Sequence, residues 1–216
     1  MEEQFEHIVY SKNVIEFVTV GREFCNWLEN VEGQDRKAFT GTALKILPLL
    51  YLKATVLPKG ENMLDDFLES FVTEEDYEFV RYQVLHKMGR FDDYLEVFTA
   101  EMQRSEVPLT STVSENMADI YQDIKNFLLN YRTAVTEIMN DALVELVRQF
   151  ELYWGQRLVN VLRALHQVYY GGENLDETEE DETQDPMDER NPDEWFLSQR
   201  QQDWQNDLFS GKKKKK

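Results

Sequence analysis

One cysteine, nine glycines, five prolines and three histidines are all that this 216-residue chain holds of those types. Each scarcity excludes something. The single Cys25 allows no intramolecular disulfide and no C-x-x-C pair. It also falls on an apolar helix stripe beside Phe24 and Leu28, where a buried thiol is inert. So few glycines and prolines favour helices over a turn-rich sheet protein. His7, His86 and His166 stand far apart, and none belongs to an E-x-x-H or H-E-x-x-H motif. A di-iron bundle of the ferritin type and a zincin site are therefore unsupported. G-x-S-x-G, G-x-G-x-x-G and G-x-x-x-x-G-K-[ST] are absent, so neither a nucleophile elbow nor a phosphate-cradling loop is expected.

Long apolar runs are missing too. The most apolar stretch, "ILPLLYLKATVLP", is interrupted by Pro48 and Lys53, and a membrane span needs about 20 mostly apolar residues. The opening "MEEQFEH" is acidic and precedes no apolar run, so a secretion signal is not expected. These features predict a cytoplasmic protein that does not enter membranes. Positive charge is also short: 23 Lys and Arg against 42 Asp and Glu give a net −19. Residues 173–194 carry −11, residues 195–216 carry +4 and residues 1–172 carry −12. A body this acidic repels phosphate backbones, so the folded part is not expected to bind nucleic acid.

What is present is helical periodicity. Val14, Phe17, Val18, Gly21, Phe24, Cys25, Leu28 and Val31 recur three or four apart and predict a helix over 13–31. A second is predicted over 36–57, with Leu44, Leu47, Leu50 and Tyr51 inward and a kink or split at Pro48. A short helix is expected over 62–71. Thr73 reads as an N-cap ahead of Glu74, Glu75 and Asp76, opening a helix that stops at Lys87 and Gly89. Another short helix is expected at "FDDYLEVF", followed by a loop over 101–111. Thr112-Val113-Ser114-Glu115 fits a capping box. Helical spacing then runs from Val113 to Tyr131 and, after a weak break at "RTAVT", from Thr136 to Tyr169. No alternating stretch suggests a sheet. The fold class is an all-α antiparallel bundle of about six to seven helices over residues 1–170. An acidic linker over 171–194, too poor in large apolar groups to fold alone, and an amphipathic segment over 195–216 ending in five lysines follow it.

"LPLLYLKA", "FVTEEDYEFVR", "DDYLEVF", "MADIYQDIKNFLLNYR" and "MNDALVELVRQFELYWGQRLVNVLRALH", in this order, resemble a bacterial family catalogued as domain of unknown function 5063. The resemblance covers about residues 13–170. It implies a helical cytoplasmic protein and supplies neither an activity nor site residues.

Two sets of residues carry candidate functions. Glu115, Asp119 and Asp123 are spaced four apart on one helix face, with Asp66/Glu69 and Glu75/Glu78 as further pairs. Carboxylates so spaced on two helices hold Mg²⁺ in all-helical nucleotide pyrophosphohydrolases, whereas in an acidic helix the same spacing arises as a solvated face. Tyr121, Tyr131, Tyr153 and Trp154 fit either a ligand pocket or core, and Gly155 points to close packing or a kink. The second set lies in the tail. Gln205-Asn206-Asp207-Leu208-Phe209 resembles the pentapeptide by which bacterial replication and repair proteins bind the DNA sliding clamp. It matches at Gln205, Asp207, Leu208 and Phe209, and departs at Asn206, where the strongest versions carry leucine. Leu197, Trp204 and Leu208 also fit one face of a helix that could dock on the bundle. With no catalytic constellation and no cofactor motif, the reading is a non-enzymatic interaction or adaptor protein whose protein partner, in its sharpest form, is the clamp. A Mg-dependent nucleotide pyrophosphohydrolase is the alternative.

Overall fold

The computed structural model describes residues 7–65, 68–95, 110–172 and 174–175. Among them are α1 (Lys12–Glu29), α2 (Arg36–Thr55), α3 (Glu74–Met88), α4 (Val113–Tyr131), α5 (Thr136–Gln149) and α6 (Gly155–Tyr170). A π-helical turn, Phe150–Trp154, joins α5 to α6 in one continuous rod, as the spacing from Thr136 to Tyr169 predicts. The described residues hold five rods where six or seven helices were expected, because the short helices expected over 62–71 and at "FDDYLEVF" do not form among them. No helix among the described residues is long and apolar enough to cross a membrane.

The helices start where the side chains supply acceptors. Asp35 receives the Ala38 N–H (2.6 Å) at the head of α2. Thr73 and Asp76 complete a reciprocal capping box at α3. Thr112 accepts from the Glu115 N–H (3.2 Å) at α4. Asp92 adds a second clamp there, accepting from the Ser114 N–H (2.8 Å) and hydroxyl (2.6 Å). The helix runs unbroken through Pro48, so of the kink or split expected there, the split does not occur.

α4 is the central element, packed against α1, α3, α5 and α6. Its Met117, Ile120, Ile124 and Phe127 meet Val14, Phe17, Phe24 and Leu28 of α1 in one core. Side chains of this size contribute about 1.5–3 kcal/mol each when fully buried. The approach of α1 to α4 is close: a Cβ on Gly21 would stand 3.1 Å from Ile124 Cγ2. Cys25 is buried in this core, and burial pushes its thiol pKa up, as expected of an inert cysteine.

Two expectations fail between the long helices. The segment expected as a helix over 62–71 is not helical at any described residue. Its backbone N–H groups are taken from outside. Asp141 accepts from Met63 (2.7 Å) and Leu64 (2.9 Å), and Asn126 accepts from Phe71 (2.8 Å) and Val72 (2.9 Å). Asn140 and Asn130 donate to the carbonyls of Glu61 and Glu69. Donors satisfied this way need no helix. Asp141→Ala is expected to cost about 2 kcal/mol, because two backbone donors lose their acceptor; urea denaturation reads it, and an unchanged midpoint would contradict this stitching role.

The second failure is a small sheet. Asp93–Leu95 (β1) pairs antiparallel with Thr110–Thr112 (β2), where a helix and a loop were expected. Asn116, buried on α4, donates to Tyr94 Oη (2.7 Å), Ser111 Oγ (2.8 Å) and the Thr112 carbonyl (2.8 Å), which ties both strands to the bundle. The acidic strip beyond residue 175 and the whole of 195–216, including Trp204 and Gln205–Phe209, lie outside the described residues.

Candidate functional site

The row Glu115, Asp119 and Asp123 does lie along α4, but the three carboxylates have three different environments. Glu115 is exposed. Asp119 is the hub of a polar network drawn from three elements. It accepts from Tyr77 of α3 on Oδ1 (3.0 Å) and from Tyr153 of the π turn on Oδ2 (2.9 Å). Arg157 of α6 reaches the same Oδ2 at 3.3 Å, lies over the Tyr153 ring at 4.2 Å and donates to Asn116. Burial, and then the Asp119 charge, raise the pKa of both phenols, Tyr153 to about 12. Both therefore remain protonated donors, and Asp119 has its acceptor sites engaged by its own protein.

Asp123 sits one turn further on, at the wall of a cleft of about 160 Å³ between α4 and α5. Leu68, Phe127, Ala142 and Leu146 give the cleft an apolar floor, and Asn126 and Glu145 stand at its polar side. Asp123 Oδ2 is buried and accepts no hydrogen bond from the described residues. Burial first, then the charges of Asp119 and Glu145, push its pKa up to about 7, against the opposing pull of Arg148 and Arg157. Glu145 is held the other way. Arg148 donates to both its oxygens (2.8 and 2.6 Å) and Gln149 adds a third donor, so its pKa is lowered.

The metal reading needs these groups to converge. Among the described residues no group of three or more His, Cys, Asp or Glu is placed to hold a metal ion. Glu78, of the second proposed pair, is taken by Arg81 (2.6 Å). Of the aromatic candidates, Trp154 is core, Tyr121 donates to Glu29 (2.8 Å) and Tyr131 donates to the Val9 carbonyl (2.8 Å). Lys125 joins Tyr121 on Glu29 at 2.6 Å, along a broader cleft of about 380 Å³ that Phe71, Phe79 and Leu129 also line. Sequence reasoning gave no site role to Asn116, Glu145 or Arg157, and read Tyr77 only as part of the inner face of α3. The i, i+4 spacing of Tyr153 and Arg157 was the available signal.

A third feature is a surface. α2 buries Phe39, Ala43, Leu47, Leu50 and Ala54, yet its opposite face is apolar as well. Leu49, Leu52 and Val56 are 43%, 58% and 43% exposed and stand one above another at i, i+3 and i+7. Tyr51, expected inward, lies at the rim, its ring 5.2 Å from that of Phe150. On the rod packed along α2, Leu152 and Val159 are exposed too.

A family model described as "Domain of unknown function (DUF5063)" matches residues 8–171. Among solved structures, the crystal structure of protein BF1032 from Bacteroides fragilis, a Northeast Structural Genomics Consortium target, superposes with a TM-score of 0.70. It is 46% identical in sequence, and the match covers 77% of this chain and 98% of that one. Comparison with the curated proteins gives no match.

Proposed function

The chain belongs to the DUF5063 family, and from that premise we propose that it is a non-enzymatic interaction protein whose helical body docks a protein partner on the outward face of α2. One observation carries this reading: the exposed apolar row Leu49, Leu52 and Val56. A helix apolar all round is ordinarily buried all round. On α2 no element among the described residues covers the second apolar face, and a contiguous exposed apolar patch marks an interaction site. The crosslinking test is direct. A photocrosslinking residue at position 52 of the full chain, expressed in native cells, is expected to give a discrete protein adduct. The same residue at Glu23, exposed on α1, is expected to give none. No adduct from position 52 would sink the reading.

The tail gives the proposal its sharper form, tethering to the DNA sliding clamp through Gln205, Asp207, Leu208 and Phe209, with Trp204 beside them. Leu208 and Phe209 would fill an apolar pocket while Gln205 bonds at its rim, and any ordering of the segment on binding would limit the affinity. A peptide of residues 194–211 is expected to bind purified clamp, and Leu208→Ala with Phe209→Ala to abolish binding. Absence of binding at high micromolar peptide would remove the clamp.

A Mg-dependent nucleotide pyrophosphohydrolase keeps one supporting observation, the unpartnered Asp123 oxygen at a cleft wall. Against it stands Asp119, engaged by Tyr77, Tyr153 and Arg157. Mg²⁺-dependent hydrolysis of nucleoside triphosphates, lost in Asp119→Ala, would overturn the non-enzymatic reading.

A further inference from the structure

The geometry points to a partner of defined chemistry for the α2 face: an amphipathic helix whose bulky apolar side chains are flanked by carboxylates. This inference rests on the interaction reading above and names what that face would bind.

The first argument is charge. In a chain of net −19, residues 36–60 contain Arg36, Lys37, Lys45, Lys53 and Lys59 and no Asp or Glu. The apolar row is embedded in this basic stretch. Lys45 is exposed and lies one turn ahead of Leu49, in line with Leu52 and Val56. The second argument is that the lysines at the edge of the row already draw carboxylates from neighbouring elements. Lys53 Nζ is 2.6 Å from Glu16 Oε2 of α1, and Lys59 Nζ is 2.5 Å from Glu151 Oε1 of the π turn. Lys45 extends the same preference onto the apolar row itself. An incoming helix with leucine or tryptophan at i, i+3, i+4 and i+7 would fill the row, and a flanking glutamate would meet Lys45, since Lys53 and Lys59 are already paired.

The charge pattern disfavours two other occupants. A second copy of the chain would bring the same patch against itself about a two-fold axis, and its α2 carries no Asp or Glu to pair with Lys45. An anionic lipid surface would attract the lysines of α2 but repel a body whose residues 1–172 carry −12.

The test uses the full-length protein and two synthetic amphipathic helices, identical except that one carries Glu and the other Lys at every polar flank. Fluorescence anisotropy is expected to show the Glu helix binding at least about tenfold tighter than the Lys helix. This preference is the reverse of what a net charge of −19 alone would produce. It is expected to weaken as salt is raised, because exposed charges are screened. Leu49→Ser with Leu52→Ser, both at exposed positions, is expected to lower Glu-helix affinity at least about tenfold, and Lys45→Glu to erase the preference for Glu. Equal or tighter binding of the Lys helix overturns the inference, as does Glu-helix binding that ignores the serine substitutions. Co-sedimentation with phosphatidylglycerol vesicles that the serine substitutions abolish would overturn it in favour of lipid. A doubled mass in solution that those substitutions reverse would overturn it in favour of self-association. Should neither helix bind while position 52 still crosslinks to a protein, the acidic chemistry falls and the interaction reading stands. Loss of the crosslink as well removes both.

Discussion

Asp123→Asn is expected to make the protein more stable at pH 8, by up to about 4 kcal/mol, and to leave it nearly unchanged close to pH 4. The direction follows from linkage. In the unfolded chain the carboxyl titrates near its ordinary value of 3.8, whereas in the folded protein it titrates at about 7. Between those values the native state binds more protons than the unfolded state, so stability falls as pH rises. The contribution is fully present below the unfolded value and is lost by the time pH passes the folded one. Above that, the native protein carries a buried charge whose Oδ2 accepts no hydrogen bond from the described residues, with repulsion from Asp119 and Glu145 that Arg148 and Arg157 only partly offset. Asparagine removes the charge and keeps the shape. Urea denaturation of both proteins from pH 4 to pH 8 should show the two stabilities diverging by about 2 kcal/mol at pH 5 and further above it. A gap that stays constant across the range, or an asparagine protein weaker at pH 8, would show that Asp123 is not held in a destabilising site. Stability set aside at a buried, like-charged carboxylate is the pattern of functional sites, although structural networks produce it as well.

The legible parts of the fold were those whose signal is local. α1, α3, α4 and the rod from Thr136 onward carry helical spacing over several turns, and Thr73 and Thr112 mark two starts with acceptors that lie within four residues of what they cap. The segment over 62–71 was illegible because the acceptors of its backbone, Asp141 and Asn126, are 54 to 78 residues away. The β1–β2 pair was illegible for the same reason, being closed by Asp92 and Asn116 around an intervening segment. The candidate site divides similarly. The i, i+4 row Glu115, Asp119 and Asp123 was readable, but what separates the three is supplied across the bundle by Tyr77, Tyr153, Glu145 and Arg157. On α2 the composition was readable and its meaning was not: a helix with apolar residues on both faces looks the same in sequence whether the second face is covered or bare.

Gly155 is where a sequence hint becomes a quantitative expectation. A glycine inside a long amphipathic helix suggested close packing or a kink, and the chain has a π turn there. The Gly155 N–H donates to the Phe150 carbonyl, an i→i−5 bond, and a Cβ at Gly155 would stand 2.5 Å from that oxygen and 2.9 Å from Phe150 Cε2. Neither obstacle can yield freely. The oxygen belongs to the backbone, and the ring is wedged between Tyr51 at 5.2 Å and the fully buried Trp154 at 4.7 Å. Gly155→Ala is therefore expected to destabilise by about 3 kcal/mol, even though alanine is the better helix former. Gly33→Ala, with nothing within 4 Å of its Cβ, is the matched control and is expected to change little. The loss also has a structural consequence. Relaxing the π turn into regular helix shifts the register of α6 by one residue, about 100° of rotation. Arg157 and Tyr153 would then leave Asp119, so the alanine protein should also lose the raised phenol pKa of Tyr153 in an ultraviolet pH titration. If Gly155→Ala proves neutral or stabilising, the π turn is a soft irregularity; if it destabilises with the Tyr153 titration unchanged, the cost is local overpacking and the turn does not set the register of the site.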